Sequence, residues 1–254
     1  MIQVARTLSY TITGTEVGSS TDDLAAVFWL PSRAAQAYIA LQNTSTNEIN
    51  VSASLESGET SRRFSSVKLG PLESRVIEVP LNRLLSDSRQ STTSGAIILS
   101  HQGPDGSLNT SGWIEDERTG YSTMMTFHDP ARHHGTQLFG TQILIGQQKD
   151  LLASGKRISV DSYAVLFNAS ANKSILPLVD FVFENAGRIS RVPLTVPTLK
   201  PLQSVEIDLG DLQKDARVPQ DISSGTLVIN YGGPEGFLMG RVFGIADNPT
   251  HLVE

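Results

Sequence analysis

Ser94 Gly95 Ala96 Ile97 Ile98 Leu99 Ser100 His101 Gln102 Gly103 Pro104 Asp105 Gly106 returns later in the chain as Ser224 Gly225 Thr226 Leu227 Val228 Ile229 Asn230 Tyr231 Gly232 Gly233 Pro234 Glu235 Gly236. Each copy reads as a polar turn, a short apolar strand and a Gly-Pro-acid-Gly reversal, with Leu108 and Leu238 opening the return strand at matching places. Proline presets φ at the second turn position, the acid tolerates the third, and glycine accepts positive φ. The unit therefore predicts a β-hairpin, made twice by an internal duplication.

Working outward, the duplication extends to most of the chain. Gly14 Thr15 Glu16 Val17 and Gly140 Thr141 Gln142 Ile143 mark where each copy begins. Tyr38 to Ser45 matches Tyr163 to Ser170, an apolar strand closed by Asn-x-Ser, where asparagine bonds the backbone two residues on. Ile49, Val51, Ala53 and Leu55 alternate with polar residues, which predicts one buried and one wet face. Their counterparts in Leu176 to Phe183 are more continuously apolar and predict a strand covered on both sides.

Leu69 Gly70 Pro71 Leu72 Glu73 Ser74 matches Leu199 Lys200 Pro201 Leu202 Gln203 Ser204, and both lead into alternating strands. The polar connections that follow have room for one helical turn, at Leu81 to Leu85 or Asp211 to Lys214. Trp113 falls at the place of Phe243, so a large ring in both copies predicts core packing. Residues 1 to 13 read as a short strand that packs on the first copy or pairs with a neighbour in a longer chain. Short strands spaced by Gly, Pro and Asn turns define the expected fold class: all-β, two tandem antiparallel β-sandwiches, divided at 1–135 and 136–254.

With Tyr38 to Ser45, Leu69 to Ser74 and Ser94 to Gly106 in place, each module resembles the immunoglobulin-like sandwich modules found in tandem in bacterial secreted or surface proteins. The resemblance implies an extracellular or cell-envelope scaffold and carries over no catalytic residue.

The bulk composition narrows the partners. Of 254 residues, 39% are hydrophobic and 18% charged, within the globular range. A net charge of -6 with scattered basic residues argues against nucleic acid, which needs clustered Lys and Arg. With no cysteine there are no disulfides, thiolate chemistry or Cys-type zinc sites. Met1 to Arg6 shows no export signal, and no apolar run approaches the roughly 20 residues of a membrane helix. No cofactor and no membrane insertion are expected.

The densest group of chemistry-bearing side chains is His128, Asp129, His133 and His134, potential metal ligands within a few residues. A fixed site needs three or four converging ligands with outer support, so a polar linker is the preferred reading of this loop. No serine lies in a Gly-x-Ser-x-Gly elbow. Glu115 and Asp116 are adjacent on a strand and so point to opposite faces. Trp29, Trp113, Tyr121 and Tyr231 are the rings that would serve a sugar-stacking platform, with Trp29 and Tyr231 as the ligand-binding candidates. Trp29 has no aromatic counterpart in the second copy, and packing at a module interface is the preferred reading for it. Asn-x-Ser/Thr triplets begin at Asn43, Asn50, Asn109, Asn168 and Asn172, two of them being the repeated strand-end turn.

Together these features predict a non-enzymatic binding or structural module that contacts a protein or glycan partner. The alternatives are a carbohydrate-binding accessory module, and a metal-dependent enzyme built on the His128 to His134 loop.

Overall fold

The computed structural model describes residues 8–12, 23–32, 34–57, 60–81, 94–117, 120–132, 135–149, 157–233 and 235–246. The strands in order are β1 (Leu8–Ile12), β2 (Asp23–Trp29), β3 (Gln36–Asn43), β4 (Ile49–Ser57), β5 (Thr60–Leu69), β6 (Ser74–Val79), β7 (Ser94–His101), β8 (Leu108–Asp116) and β9 (Tyr121–Met125). The second half adds β10 (Gln137–Leu144), β11 (Gly146–Lys149), β12 (Arg157–Asn168), β13 (Leu176–Asn185), β14 (Arg188–Leu194), β15 (Ser204–Asp208), β16 (Ser224–Gly232) and β17 (Leu238–Ala246). One helical turn, α1 (Asp211–Lys214), stands at one of the two expected places. The other, Leu81 to Leu85, lies mostly outside the described residues.

Four antiparallel sheets result. Sheet I has the order β6-β3-β8-β9 and sheet II the order β2-β7-β4-β5. Sheet III runs β1-β17-β12, with β15 and β11 both pairing with β12, and sheet IV has the order β10-β16-β13-β14. Strand for strand, β15-β12-β17-β1 repeats sheet I and β10-β16-β13-β14 repeats sheet II. Each pair of sheets forms a sandwich, with inward residues such as Ile39, Leu41, Leu99 and Ile114 in the first and Leu166, Phe181, Ile229 and Val242 in the second.

The position that β9 fills in sheet I is filled in sheet III by β1, which pairs antiparallel with β17 in the register Leu8↔Gly244 to Ile12↔Gly240. The first strand of the chain thus lies on the second copy, not on the first as its place in the sequence suggested.

The repeated Gly-Pro-acid-Gly unit does not close a hairpin. β7 pairs with β2 and β4, and β8 pairs with β3 and β9, so the reversal carries the chain from sheet II to sheet I. The turn chemistry holds locally: Ser107 N–H donates to Pro104 O at 3.0 Å, and Gly106 and Gly236 have φ of 72° and 79°. Each leg is captured by a different sheet. Gln102 N–H donates to Asn50 O on the sheet II side (3.2 Å), and Thr44 N–H donates to Ser107 O on the sheet I side (2.8 Å). Hairpin legs stand about 5 Å apart and packed sheets about 10 Å, so six linking residues serve the wider gap.

The Asn-x-Ser turn brackets this crossing from the neighbouring β3–β4 link. Asn43 Nδ2 donates to Asn47 O (2.7 Å) and Gly70 O (2.8 Å), while its Oδ1 accepts from Ser45 N–H (2.9 Å). Asn168 repeats the pattern with Lys173 O (2.8 Å), Lys200 O (3.0 Å) and Ser170 N–H (3.0 Å). Both amides are fully buried and satisfied, so their role in the fold is to hold three backbone segments together.

The two sandwiches are stacked. β2 and β7 of sheet II lie against β12, β15 and β17 of sheet III, and Val165, Phe167, Met239 and Phe243 join the first copy's core as one continuous cluster. Sheets II and III are therefore covered on both faces, which explains the unbroken apolar run of β2. Among the described residues, sheets I and IV are outermost. This overturns the expectation for β13, whose burial alternates: Leu176 and Leu178 stand exposed because sheet IV has nothing over its outer face among the described residues.

Candidate interaction surface

Trp29 and Tyr231, the two rings proposed for ligand stacking, are each 5% exposed. Trp29 stacks on Tyr163 of sheet III with centroids 4.7 Å apart and meets Tyr121 edge-on at 5.9 Å and Phe243 at 6.1 Å. Its faces are spent on the contact between the copies. Tyr231 is buried at the second crossing, where its hydroxyl donates to Gly135 O and accepts from Gly236 N–H (3.0 Å). Burial, partly opposed by that N–H, raises the Tyr231 pKa. Its counterpart His101 is likewise buried, with Nδ1 accepting from Gly103 N–H at 3.2 Å.

In the histidine loop, the backbone of His128 exchanges hydrogen bonds with Ala25 at 2.8 and 2.9 Å. Asp129 is buried. Its Oδ1 accepts from Ala131 N–H (2.9 Å) at the 3₁₀ turn Pro130–Arg132, and its Oδ2 accepts from Arg132 Nε (3.2 Å). Arg132 also reaches Asp105 at the tip of the first crossing, at 2.5 Å. His133 and His134 lie outside the described residues. Among the described residues no three His, Asp or Glu side chains are grouped to hold a metal ion.

The junction around Trp29 gathers further buried polarity. Arg241 on β17 donates through Nη2 to Thr123 Oγ1 on β9 (2.9 Å), and its guanidinium carbon sits 5.0 Å from the Phe243 ring centroid. Burial lowers the Arg241 pKa, with the nearby Tyr121 acting the other way, and burial raises that of Tyr121. Trp29 Nε1 and Arg241 Nε meet no hydrogen-bond acceptor among the described residues.

Sheet I presents the corresponding ring pair with no cover among the described residues. Tyr38 opposes Trp113 across β3 and β8, as Tyr163 opposes Phe243 across β12 and β17. Tyr38 and Trp113 stack at 5.2 Å and 22°, and both are half-buried. Trp113 is thus on the outside of the sandwich. The expectation of core packing failed because strand alternation puts Ile114 inward and Trp113 outward. Beside the pair, Met124 (55% exposed) lies opposite Trp113, and Val76 lies one row along beside Ala40. Tyr38 has a raised pKa, first from desolvation and then from the carboxylates of Glu115, Glu78 and Glu117. Next to the rings, a shallow groove is lined by Gln42, Ser74, Arg75, Asn109 and Ser111.

A third matched pair makes the same contrast. Leu72 and Leu202 both hold positive φ (57° and 58°) in corresponding turns closed by i→i+3 hydrogen bonds of 3.2 and 3.1 Å. Leu202 packs against the cluster between the copies, while Leu72 is 67% exposed.

Tyr38 and Trp113 stack on each other through one face each. At the opposite end of the stack, the outer face of sheet IV carries Phe139 opposite half-buried Val228, Asp180 on the other side of Val228, and Leu178 and Leu176 farther along β13. Two apolar patches on opposite outer faces are the features that sequence reading did not assemble. The cue for the first was the Tyr38/Tyr163 correspondence taken together with Trp113/Phe243.

No family model and no curated protein matches the chain. Weak overlaps exist with solved structures of infectious bursal disease virus. The T13 IBDV viral particle gives 10% identity and a TM-score of 0.25, covering 96% of this chain and 70% of that one. The Gt strain gives 11% identity and 0.22, covering 96% and 73%, and the VP2 subviral particle 12% and 0.21, covering 98% and 73%. Overlap at this level carries no functional inference.

Proposed function

We propose that the chain is a non-enzymatic structural module that makes protein contacts through the outer faces of its sheet stack, sheet I above all. One observation carries the reading: half-buried Tyr38 and Trp113 meet no cap among the described residues, at the positions whose counterparts, Tyr163 and Phe243, are capped by Trp29. Exposed apolar patches rimmed by polar residues mark interaction sites, and aromatic anchors dominate the energetics of such contacts. Kinship with the immunoglobulin-like modules of envelope or secreted proteins belongs to the same reading.

The test places a photo-crosslinking residue at Val76 in the native host, with a control at exposed Gln147. The expected result is a discrete protein adduct from position 76 that disappears on Trp113→Asp, and none from position 147. Glycan binding by the purified chain that is lost on Trp113→Ala would instead favour the carbohydrate-binding alternative, for which the Gln42–Asn109 groove is the specific support.

A further inference from the structure

Resting on that reading, we infer that the partner of sheet I is a second copy of this chain, whose sheet IV outer face stacks on it head to tail. The molecule already contains one such contact. Sheet II of the first copy packs on sheet III of the second, and these are the counterparts of sheet IV and sheet I respectively. Placing sheet IV of one chain on sheet I of the next repeats the internal packing between chains.

Matched positions support the pairing at the ring pair and at the centre of the entering face. On the receiving side, Tyr38, Trp113 and Leu72 stand where Phe243 is buried, and Tyr163 and Leu202 are partly buried, against the first copy. On the entering side, the outer face of sheet II turns Trp29 and Ile98 toward sheet III; in sheet IV the place of Trp29 is taken by Leu144 and that of Ile98 by Val228, which has Phe139 opposite it on β10, Asp180 opposite it on β13 and Leu178 diagonally. Asn50 and Ser52 on β4 are replaced by Leu176 and Leu178 on β13, while Ser54 is replaced by Asp180 opposite Val228 and Ala96 by Thr226, so the end face carries its apolar side chains at Phe139, Val228, Leu176 and Leu178 and is more polar between them. The receiving face is more polar than its own at two positions: Gln42 and Asn109 stand where sheet III has Phe167 and Met239. That difference makes the contact between chains weaker than the one within the chain, and reversible.

The interface is heterologous, because unlike faces meet. Repetition then gives a ring if the rotation closes and an open filament if it does not.

The experiment is sedimentation velocity on the full chain over a wide concentration range, with Trp113→Asp on sheet I and Leu178→Asp on sheet IV. Wild type should associate beyond the dimer, and each variant alone should be monomeric with affinity reduced more than tenfold. A mixture of the two variants should form a 1:1 dimer and stop there, since one intact face of each kind remains. Met124→Lys and Phe139→Lys repeat the test should either aspartate variant fail to fold.

The inference is overturned if wild type stays monomeric, if either variant alone still self-associates, or if the mixture does not pair. A monomeric wild type that still gives the Val76 adduct would remove the second copy as partner and leave the contact reading standing.

Discussion

Sheets I and III are the same sheet made twice, and they differ in what lies over them. In sheet III the Tyr163–Phe243 pair is capped by Trp29, and Phe243 is fully buried. In sheet I the Tyr38–Trp113 pair meets no cap among the described residues, and polar side chains replace the apolar ones along the lower half of the face. The fold of each copy does not need a cover on this face. The inner one is covered because the chain supplies a second sandwich at that point.

Trp29→Ala would break the comparison most strongly. It removes the cap from a desolvated junction and should lower stability by about 3–5 kcal/mol, whereas Trp113→Ala at the open pair should cost about 1 kcal/mol or less. Urea titration of both variants measures the difference, and equal losses would mean that the two faces are not distinguished by covering.

The strand-end asparagines sharpen the likeness. Asn43→Ala and Asn168→Ala each strand buried carbonyls, and each should cost about 1–3 kcal/mol. Similar costs support one architecture in both copies. A neutral substitution at either position would show that its network is dispensable.

Leu72 and Leu202 separate strain from packing. A non-glycine residue at positive φ costs roughly 1 kcal/mol, so Leu72→Gly should be neutral to stabilising by up to about that amount. Leu202→Gly sheds the same strain but loses its contacts at the junction, and its melting temperature should fall. The opposite ordering would place the cover on the wrong copy.

The smallest effect concerns Glu56, buried on β4 at the position where β13 carries Val182. Desolvation raises its pKa, and hydrogen bonds donated by Ser54 and Ser61 oppose the rise. With a folded-state pKa above the unfolded value near 4.5, its protonated form favours the fold. That stability is present at low pH and lost as pH rises through the folded pKa. Glu56→Gln should therefore be more stable than wild type at neutral pH, with the gap closing below about pH 4. A gap independent of pH would rule out this titration as its cause.

Much of this architecture was legible in the residues. Alternation in Ile49 to Leu55 and the paired Asn-x-Ser and Pro-Leu turns gave strands and duplication, because period and turn chemistry are local properties. Other features depend on distance along the chain. Gly103 to Gly106 announces a reversal but not which sheet receives the return strand, which is decided by Asn50 and Thr44. Residues 8–12 carry no mark of the β17 edge they occupy. Trp113 and Phe243 share one sequence position and opposite fates, because covering depends on the neighbouring sandwich. The apolar run of β13 does not show that Leu176 and Leu178 stand uncovered among the described residues while their neighbours are buried. Of the residues singled out for chemistry, Trp29, Tyr231 and Asp129 are held by packing or backbone hydrogen bonds that composition does not display.

The chain has two tryptophans, Trp29 and Trp113, one on each side of this comparison. Acrylamide quenching of fluorescence in Trp113→Phe and Trp29→Phe chains reads each ring separately. In dilute solution Trp29 should be shielded and Trp113 readily quenched, with Trp113 becoming shielded as protein concentration rises. A readily quenched Trp29 would mean that the two sandwiches do not close on each other, and a Trp113 shielded in the monomer would mean that sheet I has no open face.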